Sequence, residues 1–100
     1  MAERIEITEE TPIKLHRQVR LRFDKARSLW LLLAPEKVVT LDEIAVHILQ
    51  EIDGAPLFEA IDRLALKFNA PREVIAVDVI GFLQDFADRG YLMKEGAFHG

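Results

Sequence analysis

A chain of 100 residues that is 50% hydrophobic and 30% charged can close one core that hides roughly 60 to 65% of its unfolded surface, with no room for a second domain. It has no cysteine, which excludes a disulfide framework and a thiolate metal site and points to the cytoplasm. A net charge of −4 argues against bulk attraction to nucleic acid, and neither a membrane span nor a signal peptide's basic-then-apolar opening is present.

In chain order, residues 1–18 are polar, with Ile5, Ile7, Ile13 and Leu15 as isolated apolar points and a proline at position 12; they read as an extended or loose, flexible arm. At Val19 the pattern turns to period two, with Val19, Leu21 and Phe23 on one face and Arg20, Arg22 and Asp24 on the other, which predicts a half-buried strand. Asp24 to Ser28 reads as its turn. Leu29 to Ala34 is continuously apolar and is expected as a central strand covered on both faces. Pro35-Glu36 breaks it, and the β-branched Lys37–Leu41 completes a three-stranded antiparallel meander.

The period then changes to 3.6. Thr40 or Asp42 is placed to cap a helix striped by Ile44, Ala45, Ile48, Leu49 and Ile52, which Asp53-Gly54 ends. A second helix carries Leu57, Ile61, Leu64, Ala65 and Phe68 on one face. A third starts at Pro71 and runs to about Arg89, where Gly90 stops it. Tyr91-Leu92-Met93 is a further short extended piece. The fold class is thus α+β and winged-helix-like, a three-stranded antiparallel sheet followed by three helices. The expected organisation is an arm over 1–18, one domain over 19–93 and a tail over 94–100.

Catalytic chemistry finds little footing. The one serine, Ser28, lies in a turn with no glycine-framed elbow, and there is no glycine-rich phosphate loop. Glu43, His47 and Glu51 share a helix face at i, i+4 and i+8, a spacing open to metal, but that face is opposite the apolar stripe and reads as solvated charge. His16 and His99 lie near the ends and fit no ligand spacing. The reading is therefore no enzyme, no metal and no cofactor. A winged helix also raises nucleic-acid binding, but the third helix presents Glu73, Asp78, Asp85 and Asp88 against Arg72, Gln84 and Arg89, and phosphates would be repelled.

Two features point to a binding site. The apolar residues of the third helix spread over about 160°, wider than the ~100° stripe of a helix with one buried face, so the helix fits either a central place in the core or a groove beside it. The third strand, Val38-Val39-Thr40-Leu41, has only Lys37 to guard its edge and is open to an added strand. Ordering six residues of a free peptide costs about 6–12 kcal/mol, and four hydrogen bonds return roughly 2–6. Apolar burial at about 25 cal/mol per Å² must supply the rest, which requires an apolar wall beside the edge.

Val19 to Asp24, Leu31-Leu32-Leu33-Ala34-Pro35-Glu36, Leu41-Asp42 with Ala45 and Ile48-Leu49, Asp53-Gly54, Ala70-Pro71 and Asp78-Val79 together resemble the PqqD family of pyrroloquinoline quinone biosynthesis, from about Pro12 to Leu92. Gln18 stands where the family commonly has glycine, and Lys94 to Gly100 match nothing in it. The resemblance implies a cytoplasmic, non-catalytic peptide chaperone, monomer or homodimer. It would bind the ribosomal precursor peptide PqqA and present it to the radical SAM enzyme PqqE, which crosslinks a glutamate and a tyrosine of that peptide. It further implies that the peptide adds to the third strand through Val38, Val39, Thr40 and Leu41. The wall is then Ile75, Asp78, Val79, Phe82, Leu83 and Phe86 of the third helix. The alternatives are a nucleic-acid-binding regulator and a structural subunit that self-associates through its open edge.

Overall fold

The structure, a computed structural model, describes residues 4–96. Its elements are β1 (Ile13–Leu15), β2 (Arg20–Asp24), β3 (Leu29–Ala34), β4 (Lys37–Leu41), α1 (Glu43–Glu51), α2 (Leu57–Phe68), α3 (Arg72–Asp88) and β5 (Leu92–Lys94). The expected meander is the antiparallel sheet β2-β3-β4, and three helices follow it. Asp24 Oδ1 accepts the Arg27 N–H at 3.2 Å and Ser28 takes the left-handed conformation at φ 55°, the local chemistry that turns β2 into β3. Pro35-Glu36 is a two-residue turn between Ala34 and Lys37. Of the two cap candidates it is Asp42 that opens α1, its Oδ1 accepting the Ala45 N–H at 2.8 Å.

One face of the sheet packs on the helices. Leu32 is fully buried there, and Leu21, Trp30, Ala34 and Val39 lean on the same core. The opposite face corrects the expectation for Leu29–Ala34: Leu29, Leu31 and Leu33 are only half-buried and stand outside the core cluster. The apolar run suits two-sided burial, but the helices cover a single side.

The segment expected as a loose arm packs from Arg4 onward. β1 pairs antiparallel with β5 in a second, two-stranded sheet, Ile13 facing Lys94 and Leu15 facing Leu92, and Ile7 and Ile13 enter the core. The carbonyls of Thr11 and Glu9 accept the Leu57 and Phe58 N–H groups at 3.0 and 2.7 Å, satisfying the start of α2, which has no side-chain cap. Gly54, at φ 94°, donates its N–H to Ile13 at 3.0 Å; this left-handed conformation favours glycine. Gln84 of α3 grips the same segment, accepting the Ile7 N–H at 2.9 Å and donating to the Ile5 carbonyl at 2.8 Å. Of the expected tail, Lys94 belongs to β5, whereas Ala97 to Gly100, with His99, lie outside the described residues, as do residues 1–3.

Candidate functional site

β4 forms one edge of its sheet. Its register with β3 runs Ala34–Lys37, Leu33–Val38, Leu32–Val39, Leu31–Thr40 and Trp30–Leu41. The residues flanking a two-residue hairpin turn form a hydrogen-bonded pair, and pairs alternate from there. Lys37, Val39 and Leu41 therefore direct their backbone groups to β3, and Val38 and Thr40 direct theirs to the open edge. Side chains alternate with the same period: Val38 and Thr40 are exposed, Val39 is half-buried and Leu41 is buried.

α3 divides its surface three ways. Ala76, Val79, Leu83 and Phe86 are buried. Ile75 and Phe82 are half-buried, and at 100° per residue they lie about 60° and about 80° from the centre of the buried face. Gln84 and Asp88 hold the N-terminal segment on the far side. The wide apolar arc is thus a core face with a half-buried stripe beside it.

Two cavities lie along α3. One, of about 260 Å³, is lined by Ile44 and Ile48 of α1, Leu64 and Phe68 of α2, and Ile75, Asp78 and Val79 of α3. It lies just past the end of β4, since Ile44 is three residues beyond Leu41. The other, of about 590 Å³, brings Pro35, Glu36 and Lys37 to Arg89, Gly90 and Tyr91. The start of β4 therefore lies by the C-terminus of α3, and α1, which follows β4, meets the first half of that helix. Along α3 between these two cavities stand the half-buried Ile75 and Phe82. Phe82 is propped on Phe86, ring centroids 4.4 Å apart. The two cavities differ in charge, with Asp78 lining the smaller and Lys37 and Arg89, together with Glu36, lining the larger.

The sequence-derived site residues fall into two groups. Val38, Val39, Thr40, Ile75, Asp78 and Phe82 keep accessible surface. Leu83, at 0% exposure, and Val79, at 2%, are core residues; Val79 reaches only the floor of the smaller cavity, and Phe86 and Leu41 are likewise buried. Sequence reasoning missed Ile44 and Phe68. Both sat on predicted core stripes, but Ile44 is 61% exposed and Phe68 37%, and both line the smaller cavity. A strand that leads directly into a helix sets that helix's first apolar residue at the strand's edge, and this was the available signal.

The charged groups of α1 are engaged locally. Glu51 accepts from Arg63 at 2.6 Å and lies 3.9 Å from Lys67. His47 packs edge-on against Phe68 and lies 3.9 Å from Glu43. The described residues hold no grouping of three or more potential His, Cys, Asp or Glu metal ligands. No helix among them is long and apolar enough to cross a membrane. The β4 edge offers backbone donors and acceptors, and the smaller cavity and the α3 stripe offer apolar surface, the two requirements of strand addition by an extended peptide.

The comparisons bear on this geometry. Residues 30–92 match the family model described as coenzyme PQQ synthesis protein D (PqqD). The chain is 51% identical over 96 residues to the PqqA binding protein of Rhodopseudomonas palustris (strain HaA2), covering 94% of each. It superposes with a TM-score of 0.70 and 34% identity on the solution structure of the PqqD truncation of Methylobacterium extorquens PqqCD, described as a functional, stand-alone recognition element for ribosomally synthesised and post-translationally modified peptides; the match covers 82% of this chain and 88% of that one. The crystal structure of PqqD from Xanthomonas campestris matches with a TM-score of 0.51 and 38% identity, over 84% of this chain and 94% of that one. The chain belongs to the PqqD family.

Proposed function

We propose that this chain is a non-catalytic binder of the precursor peptide PqqA in pyrroloquinoline quinone biosynthesis, the ligand for which its Rhodopseudomonas relative is named. The peptide adds as a strand to β4, bonding to the outward backbone groups of Val38 and Thr40, and lays apolar side chains on Ile75 and Phe82 and into the cavity beneath Ile44 and Phe68. So held, it is presented to the radical SAM enzyme PqqE, and the chain acts by raising the local concentration of substrate at that enzyme. The observation that carries the reading is the open edge of β4 in a fold whose α3 also keeps a half-buried apolar stripe. An edge alone returns too little free energy to order a peptide, and the stripe and cavity supply the missing apolar burial.

The test is an NMR titration of isotope-labelled protein with synthetic PqqA. Saturable shifts concentrated on Lys37–Leu41, Ile44 and 75–82 are expected. Binding that shifts other surfaces and leaves these untouched contradicts the site, and no binding at millimolar peptide contradicts the function.

A further inference from the structure

We propose that the outer face of the β2-β3-β4 sheet is a second docking surface, for a carboxylate-rich surface of a partner protein. On the reading above, on which this inference rests, that partner is the peptide-modifying enzyme.

The charges of the molecule are segregated. Residues 16–41 hold six Lys or Arg against two carboxylates, whereas residues 42–88 hold three against ten. Pairing sharpens the contrast. The cations of the helices are matched, Arg63 and Lys67 with Glu51, Arg72 with Glu9 and Asp62, and Arg89 with Asp85 just past the end of α3. On the sheet side, Arg20 and Arg22 of β2 and Lys25 of the turn after it are exposed, and among the described residues no ion pair involves them.

The register arranges the arginines around an apolar centre. Arg20 faces Leu33, which faces Val38, Arg22 faces Leu31, which faces Thr40, and at the end of the face Asp24, 3.8 Å from Arg27, faces Leu29. The leucines are half-buried, Val38 is 60% exposed, and this side lies away from the core. The continuous apolar run of β3 is suited to cover on both faces, and the molecule covers one. Three strands of about six residues span roughly 300 Å², well under the ~800 Å² per partner of a stable interface. That area fits a partner met and released. Arginine forks two residues apart on one face pair with carboxylates in bidentate fashion. No aromatic side chain stands on this face to anchor it in lipid, so a protein surface is the occupant, and an anionic membrane is the alternative that the experiment tests.

The face lies across the sheet from α3, so a peptide on the β4 edge and a partner on the sheet bind together. The experiment measures affinities of the full chain, Arg20→Glu/Arg22→Glu and the milder Arg20→Gln/Arg22→Gln for purified PqqE at 50 and 300 mM NaCl. PqqA affinity and the circular dichroism spectrum are measured in parallel. The charge reversal is expected to weaken PqqE binding at least tenfold at low salt, with the glutamine pair between, the wild type weakened by salt, and fold and PqqA affinity kept. A folded reversal variant that binds PqqE like wild type overturns the proposal while leaving PqqA binding intact. Arginine-dependent binding to phosphatidylglycerol vesicles, with PqqE binding unaffected by the reversal, overturns it in favour of a membrane. Loss of PqqA binding in the wild type instead contradicts the function proposed above.

Discussion

Val39 and its neighbours on β4 differ in which way their backbone groups point, and that difference separates folding from binding. The sequence suggests Val39→Pro as the substitution that abolishes peptide addition, provided its N–H faces outward. The register turns that N–H towards Leu32, so proline there breaks the ladder and costs on the order of 1–3 kcal/mol of stability through the acceptor it orphans. Val38→Pro removes an outward donor with no partner in the free sheet; it is expected to leave the thermal midpoint within a few degrees and to weaken PqqA binding at least tenfold by calorimetry. A parallel contrast exists on α3. Leu83→Ala, at a fully buried position, should cost about 2–5 kcal/mol in denaturant unfolding. Phe82→Ala, at a half-buried one, should chiefly lower peptide affinity, roughly tenfold, as expected for about 1.4 kcal/mol of lost apolar contact. Helical periodicity could not separate these two, because both belong to one continuous apolar arc and only the packing of α1 and α2 decides which part of the arc is covered.

At the scale of elements, the sheet and the helices were legible because their signals are local: alternation in Val19–Asp24, a proline turn at Pro35, the 3.6-residue stripes and an aspartate cap. The N-terminal segment was not. Ile5 and Ile7, and Ile13 and Leu15, each give a single step of alternation, and the partners that order them, β5 and α3, lie about 80 residues away. Charge helps to hold this segment. The Arg72 guanidinium, hydrogen-bonded to Glu9, holds that carboxyl below its ordinary 4.5, and Arg4, with Gln84, holds Asp88 below its ordinary 3.8. A carboxyl whose folded value is depressed stabilises the fold fully above its ordinary value and loses that contribution as pH falls through the lower folded value. The segment should therefore stay docked at neutral pH and loosen as pH drops below about 4. Amide exchange at Ile7 that accelerates in acid ahead of the α2 core amides checks this, and equal acceleration of both would show that the two ion pairs do not single out the segment.

For the molecule as a whole, the peptide-binding edge and the basic sheet face use different sides of the same three strands. Strand addition takes the plane of the sheet, through the edge of β4, and partner docking takes its outer surface. The sequence displayed the ingredients, an unguarded third strand and two arginines alternating with apolar residues, but not their relation, which depends on strand order and on which face of the sheet the helices cover. The same open edge invites self-pairing, and light scattering of the free protein against concentration should give one mass if the edge stays available to peptide. The most direct measurement of the central claim is hydrogen exchange at the β4 amides with and without saturating PqqA. Strand addition predicts that Val38 and Thr40, exposed to solvent in the free protein, become protected in the complex, while Val39, already bonded to β3, changes little. PqqA binding that leaves the Val38 and Thr40 amides exchanging at their free rates would contradict it.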